Sequence, residues 1–182
     1  MYAGHFAAGF VLKTQEPRAP TWVLLLGTGL LDILFGILVP LGIERATMVP
    51  GSSPGFRLDY IDWSHSLLMS VVWAFAFGAL FLGKGKRIAA FAGVAVFSHY
   101  VLDLFMHPPD LALWPNAASH FGFDLWHRLP IGWWWIELAF VCACCAYYFV
   151  KSRASELYGR HAAWACLVVL VLHLLNSPWL QN

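Results

Sequence analysis

The sequence predicts an all-α fold, a polytopic membrane helical bundle of five spanning helices plus a short N-terminal half-helix. Three observations carry that expectation. Hydrophobic residues make up 60% of the 182-residue chain and charged residues 12%, against roughly 25% charged in a soluble domain. Ten tryptophans accompany them, a residue type that settles at membrane–water interfaces. Five apolar runs, at 22–41, 63–82, 88–106, 131–150 and 162–180, approach the about 20 residues that cross a bilayer. The length suits one integral-membrane domain over residues 1–182. With a formal net charge of +1 and no basic stripe, the bilayer is the expected partner and nucleic acid is not.

Taken in order, residues 1–12 (MYAGHFAAGFVL) are apolar but too short to span. They read as a half-helix that enters the bundle or lies at its surface, with His5 on one face beside Ala8 and Gly9. No cleavable leader is recognised, so Met1 is expected to remain. The run 22–41 carries Asp32 about 14 Å deep at 1.5 Å per helical residue. Gly29 and Gly36 flank it, a small face on which backbones can approach closely. Loop 42–62 contains PGSSPG at residues 50–55 and reads as irregular. Asp62 reads as a helix cap, and His65 stands within one turn of the outer end of the next run.

Run 88–106 leads into FSHYVLDLFMHPPD, where His99, Asp103 and His107 recur every four residues and so share one helical face. Pro108 and Pro109 stop the helix. Loop 107–130 includes Trp114-Pro115-Asn116, and its His120, Asp124 and His127 read as solvated. Glu137 enters the run 131–150 by about 9 Å from the same side. Trp114, Trp126 and Trp133 to Trp135 suit an outer headgroup belt. Cys142, Cys144, Cys145 and Cys166 all lie within apolar runs and read as buried free thiols. His161 and His173 stand apart and read as structural.

Basic residues predict the sidedness. One set of connections collects Lys13, Arg18, Lys84, Lys86, Arg87, Lys151, Arg153 and Arg160, and the other only Arg45, Arg57 and Arg128. Lys and Arg favour cytoplasmic loops, so the C-terminus and loops 42–62 and 107–130 are expected outside.

Asp32, Asp103 and Glu137 fall inside apolar runs, where a carboxylate costs about 2.5–3.5 kcal/mol at mid-membrane. They need partners: one another, the histidines or a cation. With His5, His65 and His99 they can converge in the outer half of the bilayer. Imidazole nitrogen with carboxylate oxygen suits one zinc-like divalent ion, which can bring the pKa of water down to about 7 for attack on an ester or phosphoester. His107 and Asp110 sit at the membrane edge, as outer partners of the ligands or as a solvated helix end. Glu137 reads as a catalytic general base, an outer partner or a protonated acid.

Four short elements, GHFAAG, LLDILFG, DWSHSLL and FSHYVLD, make the chain resemble the bacterial membrane-bound metal-dependent hydrolases, inner-membrane proteins of which one branch is described as LexA-binding. The resemblance implies an inner-membrane hydrolase with metal roles for His5, Asp32, His65, His99 and Asp103. Where that family has Pro-Asp-x-Asp this chain has Leu31-Asp32-Ile33-Leu34, and where it has His-Arg-x-x-Thr-His this chain has Tyr60-Ile61-Asp62-Trp63-Ser64-His65. Two ligand positions are thereby lost, and one metal, zinc, is the expectation. The site depth suggests a lipid-like phosphoester or other amphiphile as substrate. Three other readings use the same residues: a proton-coupled transporter or permease, although no matching halves are visible, a haem-binding electron carrier, and a metal-stabilised membrane protein that turns nothing over.

Overall fold

The computed structural model describes residues 2–49, 55–155 and 159–180. Met1 and most of the predicted PGSSPG loop lie outside the described residues. The described chain is mostly helical: α1 (Ala3–Gln15), α2 (Thr21–Thr28), α3 (Leu30–Leu38), α4 (Asp62–His65), α5 (Leu67–Ala79), α6 (Lys86–Met106), α7 (Leu125–Arg128), α8 (Gly132–Ser152) and α9 (Ala162–Leu175). Proline and glycine mark many of the boundaries. Pro17 restricts Glu16, which leaves the helical region at φ −129°, ψ 82° and closes α1. Gly85, at φ +116°, precedes α6 in a conformation that favours glycine. Before Pro108, His107 turns extended at ψ 146° and ends that helix.

Among the described residues, only α6 and α8, each 21 residues, are long and apolar enough to cross a membrane alone. The pair α2–α3 makes a third span if its 50° bend is counted within one crossing. The expectation of five spans is corrected here because three runs that look continuous in hydropathy are short or broken as helices. The first bends at Gly29 (φ −103°, ψ 0°). The second breaks at Ser66, extended at ψ 155°, whose side chain accepts the Met69 amide at 3.4 Å and restarts the chain as α5. That leaves 13 residues in α5 and 14 in α9, about 20 Å each against a hydrocarbon core of about 30 Å.

The two largest of four buried clusters make most of the interior. One joins α1, α8 and α9 through Phe10, Val141, Tyr148 and Val169. The other gathers Leu31, Ile61, Phe77, Ala92 and Val96 around α6. The N-terminal segment therefore enters the bundle, with Ala3, His5, Ala7 and Phe10 all buried. Close backbone approach occurs, but not beside Asp32. A Cβ at Gly36 would meet nothing within 4 Å, whereas one at Gly78 would lie 2.8 Å from the Ala89 carbonyl oxygen and one at Gly93 2.9 Å from that of Ala74. Gly78 and Gly93 thus dock α5 on α6.

Apolar side chains face outward widely, with Phe75 77% and Trp164 67% exposed, as a lipid-facing surface would be. Of the cysteines, Cys144, Cys145 and Cys166 are buried free thiols, but Cys142 is exposed on the outer face of α8. The tryptophan belt is also only partial. Trp114 and Trp135 are exposed, whereas Trp133 and Trp134 are buried.

The basic ends meet at one pole: Arg87 Nε lies 2.6 Å from Glu16 Oε2, and Gln15 donates to Tyr147 at 3.0 Å. At the other pole the loops are more ordered than expected. Antiparallel hairpins form from β1 (Arg45–Met48) with β2 (Phe56–Tyr60) and from β3 (Leu111–Ala112) with β4 (His120–Phe121). Asp59 accepts from Thr47 Oγ1 at 2.5 Å and Arg57 Nε at 2.7 Å. Those donors hold its carboxyl below the usual 3.8, the Thr47 hydroxyl most strongly.

Candidate metal centre

At the hairpin pole, four helices bring imidazoles and carboxylates together. His5 comes from α1, Asp32 from the first turn of α3, His65 from the end of α4, and His99 and Asp103 from one face of α6, with His107 just beyond it. Asp103, 2% exposed, is the hub. Its carboxylate lies 2.9 Å from His99 Nε2, 3.1 Å from His5 Nε2, and 3.7 Å from Nε2 of both His65 and His107. Asp32 Oδ1 stands 3.6 Å from both His65 Nε2 and His99 Nε2. The His5 and His99 rings stack with centroids 3.7 Å apart. Two overlapping triads, His5–His99–Asp103 and Asp32–His65–His99, each place one ligand atom per residue within 4.8 Å of the others, close enough to hold a metal ion.

The far sides of the rings fix their tautomers. His99 Nδ1 lies 2.6 Å from the Thr28 carbonyl oxygen, which can only accept, so Nδ1 carries the proton. His107 Nδ1 faces Asp110 Oδ1 at 3.0 Å, and the same holds there. His65 Nδ1 lies 2.6 Å from Ser64 Oγ, whose one proton goes to the buried Glu44 carboxylate at 2.7 and 2.9 Å. The three rings therefore turn Nδ1–H outward and aim their Nε2 atoms inward at two carboxylates. A cluster of acceptors alone is repulsive and needs a proton or a cation at its centre. Outer acceptors on Nδ1 are also what orient metal-binding histidines.

A cavity of about 240 Å³ opens over the cluster. His5, Asp32, His65, Asp103, His107 and Glu137 line it, with an apolar rim that includes Phe35 and Trp126. Glu137 is fully buried; Oε1 accepts the Gly4 amide at 2.9 Å, and Oε2 has no hydrogen-bond partner among the described residues. It thus fixes α1 against α8 beside His5 and keeps one oxygen available. His5 Nδ1 likewise lacks a partner among the described residues.

The structure brings together His5, Asp32, His65, His99, Asp103 and His107, while Asp110 backs His107 from outside. Asp62 does not cap α4, which Ile61 precedes. Its Oδ2 instead accepts the Asn116 amide at 2.8 Å, and Oδ1 lies 3.5 Å from His120, joining loop 42–62 to loop 107–130. Asp124 and His127 pair at the surface as expected of a solvated loop, and His173 is buried against Trp134, 4.6 Å between centroids. Sequence reasoning missed Glu44, Ser64 and Thr28. The Ser-His dipeptide was a visible signal for Ser64, whereas no periodicity marks Glu44. Comparisons with protein-family models, curated proteins and solved structures returned no match for this chain.

Proposed function

We propose that this chain is a membrane-embedded, metal-dependent hydrolase whose site holds one divalent ion, zinc, through His5, Asp32, His65, His99 and Asp103. One observation supports the reading above others: four imidazole Nε2 atoms lie within 3.7 Å of the Asp103 carboxylate, and three of the rings are oriented by outer acceptors. His107 supports the cluster from the cavity side and Asp110 supports His107. Zinc in such a donor set supplies Lewis acidity and activates water near neutral pH.

Glu137, on the wall of the same cavity, is the proposed acid–base group. Its Oε2, without a partner among the described residues, takes a proton from the attacking water and returns it to the leaving oxygen. The water oxygen bonds to the acyl carbon or phosphorus, the ester bond to the leaving oxygen breaks, and an alcohol departs. The substrate is a lipid-like ester, phosphoester or other amphiphile. The resemblance to bacterial membrane-bound metal-dependent hydrolases agrees with this assignment through the motif residues. With the basic pole on the cytoplasmic side of an inner membrane, the cavity opens outward. The end of α9 lies on that side too, since Asn176 lines the cavity.

Elemental analysis of detergent-purified protein tests the proposal. The wild type should carry about one zinc equivalent, and Asp103→Asn and His99→Ala should lose it. No metal in any preparation after zinc supplementation refutes the assignment.

A further inference from the structure

The candidate site has a side door. Asp32 and Tyr2 line the cavity above the ligands, and both also line a second hollow of about 510 Å³. That hollow lies between α1 and the bent α2–α3 pair, walled by Phe6, Trp22, Leu25, Leu26 and Ile33. Tyr2 and Asp32 supply its only polar side chains. Trp22, Leu26 and Ile33 are exposed, so the hollow meets the surface that faces the bilayer. Gly29 forms part of its wall at the bend, where a Cβ would lie 3.7 Å from the Phe6 ring. Asp32 marks the junction: its side chain is 52% exposed, against 2% for Asp103.

We propose that this hollow takes the acyl chain of a single-chain lipid carboxylic ester, whose polar end passes Asp32 to reach the His/Asp cluster; this rests on the hydrolase reading above. The shared wall sets the geometry: Tyr2 and Asp32 border both the apolar hollow and the cavity over the donor cluster. Charge selects the head group. Neither lining contains Lys or Arg, and Asp32 with Asp103 would already balance the charge of one divalent ion, so a phosphate would find no further cationic side chain, whereas an uncharged glycerol ester needs none. Hydrolysis would join the water oxygen to the acyl carbon, break the acyl C–O bond, and release a fatty acid and glycerol, with a proton passing to the glycerol oxygen.

The test uses the full chain in detergent micelles and a palmitoyl glycerol monoester carrying a diazirine at mid-chain. After irradiation, labelled peptides are mapped by mass spectrometry. Label should concentrate in residues 22–33 and fall about tenfold in Gly29→Leu, the factor expected when roughly two methylenes lose apolar contact. The backbone at Gly29, φ −103°, accepts a side chain without strain. Ile33→Trp obstructs the other wall, should reduce labelling likewise, and keeps the test decisive if the glycine variant fails to fold. Neither residue offers a metal ligand, so zinc content should match wild type in both.

Label spread evenly over α5, α8 and α9, or unchanged in both variants, overturns the acyl site. Crosslinking of the hollow to a second copy overturns it too. Metal-free protein that still labels residues 22–33 supports the acyl site and refutes only the hydrolase reading.

Discussion

Helix α6 and the segments packed against it solve one problem in opposite ways. The unbroken α6 presents His99 and Asp103 from a single face, four residues apart and 2.9 Å from atom to atom. Asp32 and His65 belong to runs that fracture next to the functional residue, at Gly29 three positions before Asp32 and at Ser66 one position after His65. A straight helix can supply donors from one stripe only. To surround a centre, the others must arrive from different directions, and a local break re-aims a side chain at small cost. The loss of long spans and the convergence of ligands have the same cause.

That contrast sets a ranking of effects. Asp103→Asn, on the straight helix, should abolish stoichiometric metal binding by elemental analysis. Asp32→Asn, on the bent arm and half-exposed, should retain the ion at saturating concentration with reduced affinity; equal losses would erase the distinction between hub and arm. Ser64→Ala removes the link between His65 and Glu44 and should weaken zinc by about 10–100-fold in competition with a chelator, the usual effect of losing an outer partner. Unchanged affinity would show that the break at Ser66, and not Ser64, orients His65.

Gly93→Ala pushes a methyl toward the Ala74 carbonyl at 2.9 Å and should cost about 1–3 kcal/mol, read as a lower thermal midpoint. The smallest effect belongs to Thr47→Val. The folded pKa of Asp59 is depressed, so its contribution to the hairpin is present above the unfolded value of 3.8 and fades as pH falls through the folded value. The variant should bring the Asp59 titration back toward 3.8 by NMR, with little change at neutral pH.

The stripe on α6 was legible because two structural facts, helical periodicity and a terminating Pro108-Pro109, both show in the sequence. The convergence of His5, Asp32 and His65 on Asp103 and His99 was suggested by simple rise per residue. The breaks were not. Hydropathy averages over a window and is blind to one residue that turns extended, so Ser66 inside an apolar stretch read as continuous helix. Glu44 was hidden for another reason: it is buried where it accepts from Ser64 of α4, 20 residues further along, and such a distant pairing leaves no local pattern. Trp133 and Trp134 were misplaced because composition reports how tryptophans behave on average, while α8 turns these two inward.

One carbonyl links the shape of the bundle to the chemistry of its polar pole. Thr28 is the last residue of α2, where helix-end oxygens are released from the regular ladder, and its oxygen receives the His99 proton at 2.6 Å. The bend that makes room beside Gly29 thus also supplies the atom that orients the His99 ring. Any occupant that levered α2 and α3 straighter would pull on that oxygen and turn the imidazole, so filling the hollow and re-aiming a donor would become a single mechanical event.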